Sequence, residues 1–449
     1  MKSSAIIYVP SDTPEAMALA TLRVAGVPLI VRSIMTLASA GIDGCTLLIA
    51  ASQRHKIESF LERYNDKRLP LIQIISYDEP YRVSPAIVRN IADTTTKRML
   101  LINANFLFEK SMVSEMRSMP IEDDEVVLCE EGAHRCPVID TSQGVWKKLE
   151  SFTKEKPRSI ESCLGHLTEV ATTRVAKLPA ESNTFLLKSI RDRAVAEKSL
   201  AEAIRHRAPG PIAVHINKRI SLPVSLFLSK LWISPNSITA FNIVIGLFSG
   251  VFVADGHRYE VILFGAVLFQ IASIVDGCDG EVAKLTFRYT KFGQYADSLS
   301  DNLSLGSFLT GLIAGYWRST HSPLAFYVGA IMLTTTAITL FWMIRYLVKN
   351  TQSASLATFD KDYLAKLKTG PKFLLTFIRF GKYTLKKDVF SFCFLVFAVA
   401  GILYWWLFIT AFGTTLAAII LTYLNIQAWR TSRDKRFAEA GMQSEGQSA

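Results

Sequence analysis

The stretch Asp276-Gly-Cys-Asp-Gly-Glu-Val-Ala-Lys284 follows directly on Val261 to Val275, fifteen residues without a charge. A second acidic group, Gly293, Asp297 and Asp301, precedes another uncharged run, Asn302 to Trp317. On a helix advancing roughly 100° per residue, Asp276, Asp279, Gly280, Ala283 and Lys284 fall within about 140° of arc and share a face. Gly293, Asp297 and Asp301, spaced by four, form a stripe on the next helix, which must return antiparallel across a short loop. Four aspartates facing one another repel unless cations lie between them, and hard oxygen donors select Mg²⁺ or Mn²⁺, with Ca²⁺ also admissible. Gly280 and Ala283 keep one helix surface flat, Gly293 does the same opposite, and Lys284 adds a point charge suited to phosphate. Metals, a lysine and a flat platform suit a pyrophosphate-bearing substrate, with a carboxylate at the edge to take a proton from an attacking alcohol.

The elements that must hold these residues are membrane helices. Asn236 to Ala254 and Ser322 to Ile344 are uncharged runs, and Val389 to Trp429 is long enough for two spans joined by a tight turn. Val261 to Val275 and Asn302 to Trp317 fall short of the roughly 20 residues a span needs. Each reaches that length only by absorbing the acidic segment beside it, which puts the carboxylates inside the membrane boundary, where charge usually marks function. Six spans result. Before them, His215 to Lys230 reads as an amphipathic helix lying in the interface.

Orientation follows from the basic loops. Lys284, Arg288 and Lys291 follow the second span, and ten Lys or Arg residues from Arg345 to Lys387 follow the fourth. The opposite loops, 255–258 and 318–322, carry one arginine each. Lys and Arg stay on the cytosolic side, so both termini and the acidic helices face the cytosol of an inner or plasma membrane. The net charge of +11 lies beside the apolar runs, where it serves topology and anionic lipid contact rather than nucleic acid.

Residues 1–200 differ in kind. AIIYV, CTLLIA, LIQIIS, RMLLIN and EVVLC alternate with helix-length segments, the α/β pattern of a largely parallel sheet. The start of the chain lacks the apolar core of a secretory signal, and the six cysteines, set far apart, suggest neither disulfides nor a zinc site. His134, His166 and Glu130-Glu131 read as solvated surface. The expected organisation is an α/β domain over 1–200, a basic hinge and interfacial helix over 201–235, an all-α six-helix membrane domain over 236–430, and a polar cytosolic tail over 431–449, disordered at its end.

The full pattern D-x2-D-G-x2-A-K-x8-G-x3-D-x3-D resembles the signature of the CDP-alcohol phosphotransferase family, and the likeness extends over 215–430. Ser234-Pro-Asn-Ser-Ile-Thr239 is similar to the family's opening of the first span. Lys284 departs from it, standing where the family has arginine. The resemblance implies six helices, a homodimer, and two divalent ions held by the aspartates. It also implies displacement of CMP from a CDP-alcohol donor by an alcohol or lipid acceptor. Carried onto this sequence, Asp276, Asp279 and Asp297 are metal ligands and Asp301 is both the base and a metal ligand; Gly280, Ala283, Lys284 and Gly293 meet the substrate.

Gly26 to Gly41 resembles the first helix of sugar nucleotidyltransferases, and the domain order is similar to enzymes fusing an inositol-phosphate cytidylyltransferase to a CDP-alcohol phosphotransferase. Val9-Pro-Ser-Asp-Thr-Pro-Glu15 has no glycine-rich phosphate cradle, and Asn105 stands where that resemblance calls for a metal-binding aspartate. A degenerate nucleotidyltransferase is therefore expected. Two other readings remain at this level: a CDP-diacylglycerol-dependent phosphatidyltransferase with a polyol phosphate acceptor, and a cation-coupled transporter, which gives no reason for Gly280, Ala283 and Gly293 at fixed spacing. Arg345 and Arg379 are candidates for an acceptor phosphate.

Overall fold

The computed structural model describes residues 4–10, 15–63, 69–77, 83–94, 98–131, 134–153, 159–177, 184–208, 212–350 and 387–445. The chain divides into two compact units, one comprising 1–207 with 222–233 and 281–288, the other 208–221, 234–280 and 289–449.

The first unit is built on a seven-stranded sheet. Its strands are β1 (Ser4–Tyr8), β2 (Gly44–Ala50), β3 (Leu71–Tyr77), β4 (Arg98–Asn103), β5 (Glu125–Glu131), β6 (His134–Ser142) and β7 (Thr172–Lys177), in the order β7-β5-β6-β4-β1-β2-β3. The pairs β1/β2, β1/β4, β2/β3 and β5/β7 are parallel. Central parallel strands are covered on both faces and so read as continuous apolar runs. Ile7, Leu47 and Ile102 pack with Ile30 and Ile34 on one side, while Ile6, Leu48 and Leu101 pack with Val145 and Trp146 on the other. The covering helices are α1 (Leu29–Ser39), α2 (Arg54–Arg63), α3 (Pro85–Thr94), α4 (Lys110–Ser118), α5 (Gln143–Thr153), α6 (Ile160–Val170) and α7 (Arg193–His206).

The five strand-like runs of the sequence are β1 to β5. Strand β6 escapes that pattern and runs antiparallel between β4 and β5. Its sequence carries a proline and an aspartate, and Asp140 is tolerated at zero exposure because Arg98 pairs with it at 2.5 Å. A buried charge satisfied across the sheet hides a strand from a reading based on apolar alternation.

The same unit includes 222–233 and 281–288. Gly26 has a left-handed φ of 82°, and a Cβ there would strike the carbonyl of Ser229. Glu197 on α7 pairs with Lys230 at 2.6 Å and accepts from the Ala25 amide. Arg32 on α1 donates to the carbonyls of Val24 (2.8 Å) and Leu285 (2.7 Å), and Ser225 donates to Glu281 at 2.6 Å.

A wide π-helical turn at Ala213–Asn217 leads into α8 (Lys218–Lys230). Ile220, Val224, Phe227 and Leu231 form an exposed apolar stripe at spacings of four and three, while Ser221, Ser225 and Ser229 are fully buried. That pattern suits a helix lying on a membrane surface.

Among the described residues the helices that follow are α9 (Pro235–Val253), α10 (Tyr259–Thr286), α11 (Lys291–Thr320), α12 (Leu324–Asn350), α13 (Lys387–Val399) and α14 (Trp405–Glu445). Among the described residues four helical stretches, in α9, α10, α12 and α14, are long and apolar enough to cross a membrane. Helices α10 and α11 run unbroken through their acidic segments, but α11 and the 13-residue α13 are not among those four stretches, so four of the six expected spans are found among the described residues. Helix α14 continues through the polar residues after Trp429 to Glu445, where the sequence suggested a disordered end; residues 446–449 lie outside the described residues.

Close approach of α9 and α11 rests on missing side chains. A Cβ at Gly246 would strike Ser304, one at Gly250 would strike the Ser307 carbonyl, and one at Gly311 would strike Gly250 itself. Small residues at such spacing let two backbones touch in lipid, where packing rather than water drives association. Changing Gly250 to leucine should lower the thermal unfolding midpoint in detergent by several degrees, since overpacking costs about 1–3 kcal/mol or more. Gly306, whose Cβ would meet open space, should accept alanine with no loss in the same assay.

Candidate active site

Asp276, Asp297 and Asp301 each offer a carboxylate oxygen, and the three oxygens all lie within 4.8 Å of one another. Among the described residues this is the group of acidic, histidine or cysteine side chains so arranged. Two helices supply it: Asp276 comes from α10, and Asp297 and Asp301 from consecutive turns of α11. Opposite ligands of an octahedral ion lie twice the metal–oxygen distance apart, about 4.2 Å for Mg²⁺ and about 4.6–5.2 Å for Ca²⁺. Three carboxylates inside 4.8 Å therefore fit a hard divalent cation. At an effective dielectric constant of about 20, each such ionised pair repels by about 3 kcal/mol, so the trio requires positive charge nearby.

Polar donors compensate part of that repulsion. Asp279 lies outside the trio; its carboxylate accepts from the Thr239 hydroxyl and from the Gly280 amide. Asn242 donates from one nitrogen to Asp276 Oδ1 at 3.0 Å and to Ser300 Oγ at 3.2 Å. The ammonium of Lys387, on α13, reaches Asp276 Oδ1 at 3.0 Å and also contacts Asp301. Asn242 and Lys387 were not singled out from sequence as partners of the carboxylates. The available signals were an asparagine inside an otherwise apolar span and a lysine at the foot of the uncharged run from Val389.

A stack of phenylalanines fixes the three contributing helices. Phe269, Phe308 and Phe394 are fully buried, with ring centroids 4.3 Å apart for Phe269–Phe308 and Phe308–Phe394 and 5.4 Å apart for Phe269–Phe394. Each lies seven residues from a site residue: Phe269 before Asp276, Phe308 after Asp301, Phe394 after Lys387. Seven residues are two turns less about 20°, so each ring shares a face with its polar partner about 10 Å along the helix. Trp317, sixteen residues beyond Asp301, lies about 24 Å further along α11 and is exposed.

The glycines divide by environment. Gly280 is exposed, and a Cβ there would meet no atom within 4 Å, so packing inside the chain does not demand glycine at this position. Gly293 is confined: its Cβ would lie 3.1 Å from Thr290 Oγ1 and 3.2 Å from Asn236 Oδ1, and its amide donates to the Thr290 hydroxyl. Ala283 is half-buried and Lys284 exposed, three and four residues along α10 from Gly280.

Elsewhere, Arg345 sits 5.8 Å from the Trp342 ring centroid, and Arg379, with the rest of the basic stretch 351–386, lies outside the described residues. His166 stacks on Phe152 at 3.6 Å. The side chains of His134 and Glu131 lie outside the described residues. Asn105 is 4% exposed, and its backbone amide is bound by the Asn103 side chain at 2.8 Å. Most of the segment expected to lack a phosphate cradle, 11–14, also lies outside them.

The chain thus combines an α/β unit with apolar helices that bring together an acidic cluster able to hold a divalent cation. Residues 232–415 match the CDP-alcohol phosphatidyltransferase family, and among the described residues this part of the chain holds helices long and apolar enough to cross a membrane. A bifunctional IPC transferase and DIPP synthase of Aquifex aeolicus is similar at 24% identity over 329 residues, covering 67% of this chain and 72% of that protein. A CDP-diacylglycerol--serine O-phosphatidyltransferase of Helicobacter pylori is 36% identical over 93 residues, 20% of this chain and 37% of that protein. Among solved structures, the inositol-1-phosphate CTP transferase from T. maritima covers 46% of this chain and 98% of its own at 13% identity and a TM-score of 0.36.

The contrast between the glycines is testable. Gly280→Leu should leave the unfolding midpoint within a degree or two of wild type, because the new side chain meets open space, and it should reduce CMP release by about tenfold or more if this position meets the substrate as the family resemblance implies. A variant that turns over normally would remove Gly280 from the substrate surface.

Proposed function

We propose that this protein moves a phosphoalcohol group from a CDP-alcohol to a hydroxyl acceptor and releases CMP. The convergence of Asp276, Asp297 and Asp301 within 4.8 Å carries this reading. Asp276, Asp279 and Asp297 are assigned as ligands of two Mg²⁺ or Mn²⁺ ions, with Asp301 at the edge as ligand and base. When bound, the ions neutralise the donor's diphosphate and stabilise charge on the leaving phosphate.

The donor lies across Gly280 and Ala283, with Gly293 on the facing helix and Lys284 adding a positive charge one turn along. An Asp301 oxygen accepts the proton of the acceptor hydroxyl as its oxygen attacks the phosphorus bearing the alcohol. The bond from that phosphorus to the bridging oxygen breaks, and CMP leaves with the bonding pair. The sum is alcohol plus CDP-alcohol giving phosphodiester, CMP and a proton.

The site and both termini face the cytosol, a reading supported by Lys284, Arg288 and Lys291 beside the cluster in sequence and by exposed Trp317 and Trp405 at the far ends of their helices. The working form is a homodimer. The name of the Helicobacter relative favours a second reading, in which CDP-diacylglycerol is the donor and the acceptor is a soluble alcohol or polyol phosphate. The α/β unit no longer transfers nucleotides, a reading supported by Asn105 at the position expected of a metal-binding aspartate, since a neutral amide is a poor Mg²⁺ ligand.

Asp297→Asn should abolish CMP release, and Asp301→Asn should lower it by about 10²–10⁴-fold, the usual contribution of a positioned base. Mass spectrometry of products from purified wild type with CDP-inositol, CDP-glycerol or CDP-diacylglycerol separates the two donor readings; undiminished turnover by Asp297→Asn refutes both. The full chain carrying Asp297→Asn, supplied with CTP and alcohol phosphates, should release no pyrophosphate. Sustained release would restore nucleotidyl transfer to the α/β unit.

A further inference from the structure

Lys387 is a basic residue set against the acidic cluster. Its ammonium lies 3.0 Å from Asp276 Oδ1 and contacts Asp301, so it stands between two of the three carboxylates that converge. Its side chain is only 16% exposed. Asp276 Oδ1 already accepts from Asn242 at 3.0 Å, so that oxygen is fully engaged by donors while the ammonium is in place.

The backbone that delivers Lys387 is anchored by the residues that follow it. The next residue, Asp388, accepts from Asn217 Nδ2 at 3.0 Å, and the same amide group donates to Ser273 Oγ at 3.3 Å. Asn217 Oδ1 in turn accepts from Gln270 at 3.1 Å. Asn217, Ser273 and Gln270 are all buried. Two turns further along α13, Phe394 is locked in the aromatic stack. Consecutive helical residues point about 100° apart, so Asp388 is held by this network while Lys387 reaches the cluster. The backbone is thus fixed, and the part free to move is the lysine's flexible four-carbon stem.

We propose that Lys387 is a tethered cation that competes with divalent ions for Asp276 and Asp301, so that the cluster loads metal only as the ammonium lets go. The proposal rests on the reading of this cluster as a metal site. Chemistry favours lysine for such a task. Its ammonium is a point charge without the bidentate fork by which arginine would clamp a carboxylate. It also offsets one of the gathered negative charges until an ion arrives, and a divalent ion then displaces it because two charges at closer range outbid one.

The test measures Mn²⁺ binding by the EPR signal of free ion, using purified full-length protein in nanodiscs without nucleotide. Wild type is compared with Lys387→Gln, Lys387→Arg and Asp297→Asn. Lys387→Gln should bind Mn²⁺ about tenfold or more tightly than wild type, the size of effect known for groups that touch metal ligands. Lys387→Arg should bind no more tightly than wild type, and Asp297→Asn should bind much more weakly. Equal or weaker binding by Lys387→Gln, with Asp297→Asn impaired, would overturn the competition while leaving the metal site standing. Unimpaired binding by Asp297→Asn would overturn the metal site itself. Amine labelling of unmutated protein, read by mass spectrometry, does not depend on the variant folding: Mn²⁺ should raise the labelling of Lys387 severalfold, and unchanged labelling would refute its displacement.

Discussion

Carboxylates gathered at the edge of a lipid bilayer repel one another in a medium that screens them poorly, and the second unit of this protein is arranged around that cost. Three of the four acidic side chains have a specific partner. Asp279 is taken up by Thr239 and a backbone amide, Asp276 by Asn242 and Lys387, and Asp301 by Lys387. Because Asn242 sits on α9, that helix must come close to both α10 and α11, and the glycines at 246, 250 and 311 make the approach to α11 possible at backbone distance. The small residues and the acidic signature therefore serve one geometry.

The sequence exposes the reactive half of this arrangement more readily than its support. The aspartates stand out because charge is rare in apolar spans and because their spacing sets them on single helix faces. Span length alone required α10 and α11 to run through their acidic segments, as they do. The supporting groups are less visible. An asparagine in a span is a common sight, and the link from Lys387 to Asp276 joins residues 111 positions apart, a pairing that no local pattern encodes. The environment of Gly280 and Gly293 is likewise a three-dimensional fact. Both are glycines at signature positions, yet one faces open space and the other is confined by Thr290 and Asn236.

In the first unit the apolar strands were legible for the reason that makes them central: burial on both faces removes the polar alternation that would blur them. Strand β6 was not, because its buried Asp140 answers to Arg98 on β4. In the segment before the first span, the serines and the apolar residues take opposite sides of α8.

The phenylalanine stack carries one last implication. Asp276, Asp301 and Lys387 each stand seven residues from a ring in the same aromatic cluster, on three different helices. Adding or removing one residue inside any of these intervals would swing the polar group about 100° around its helix while the ring stayed in register. The three intervals can therefore vary in composition but not in length, and an insertion or deletion there would uncouple the reactive group from its scaffold without touching either.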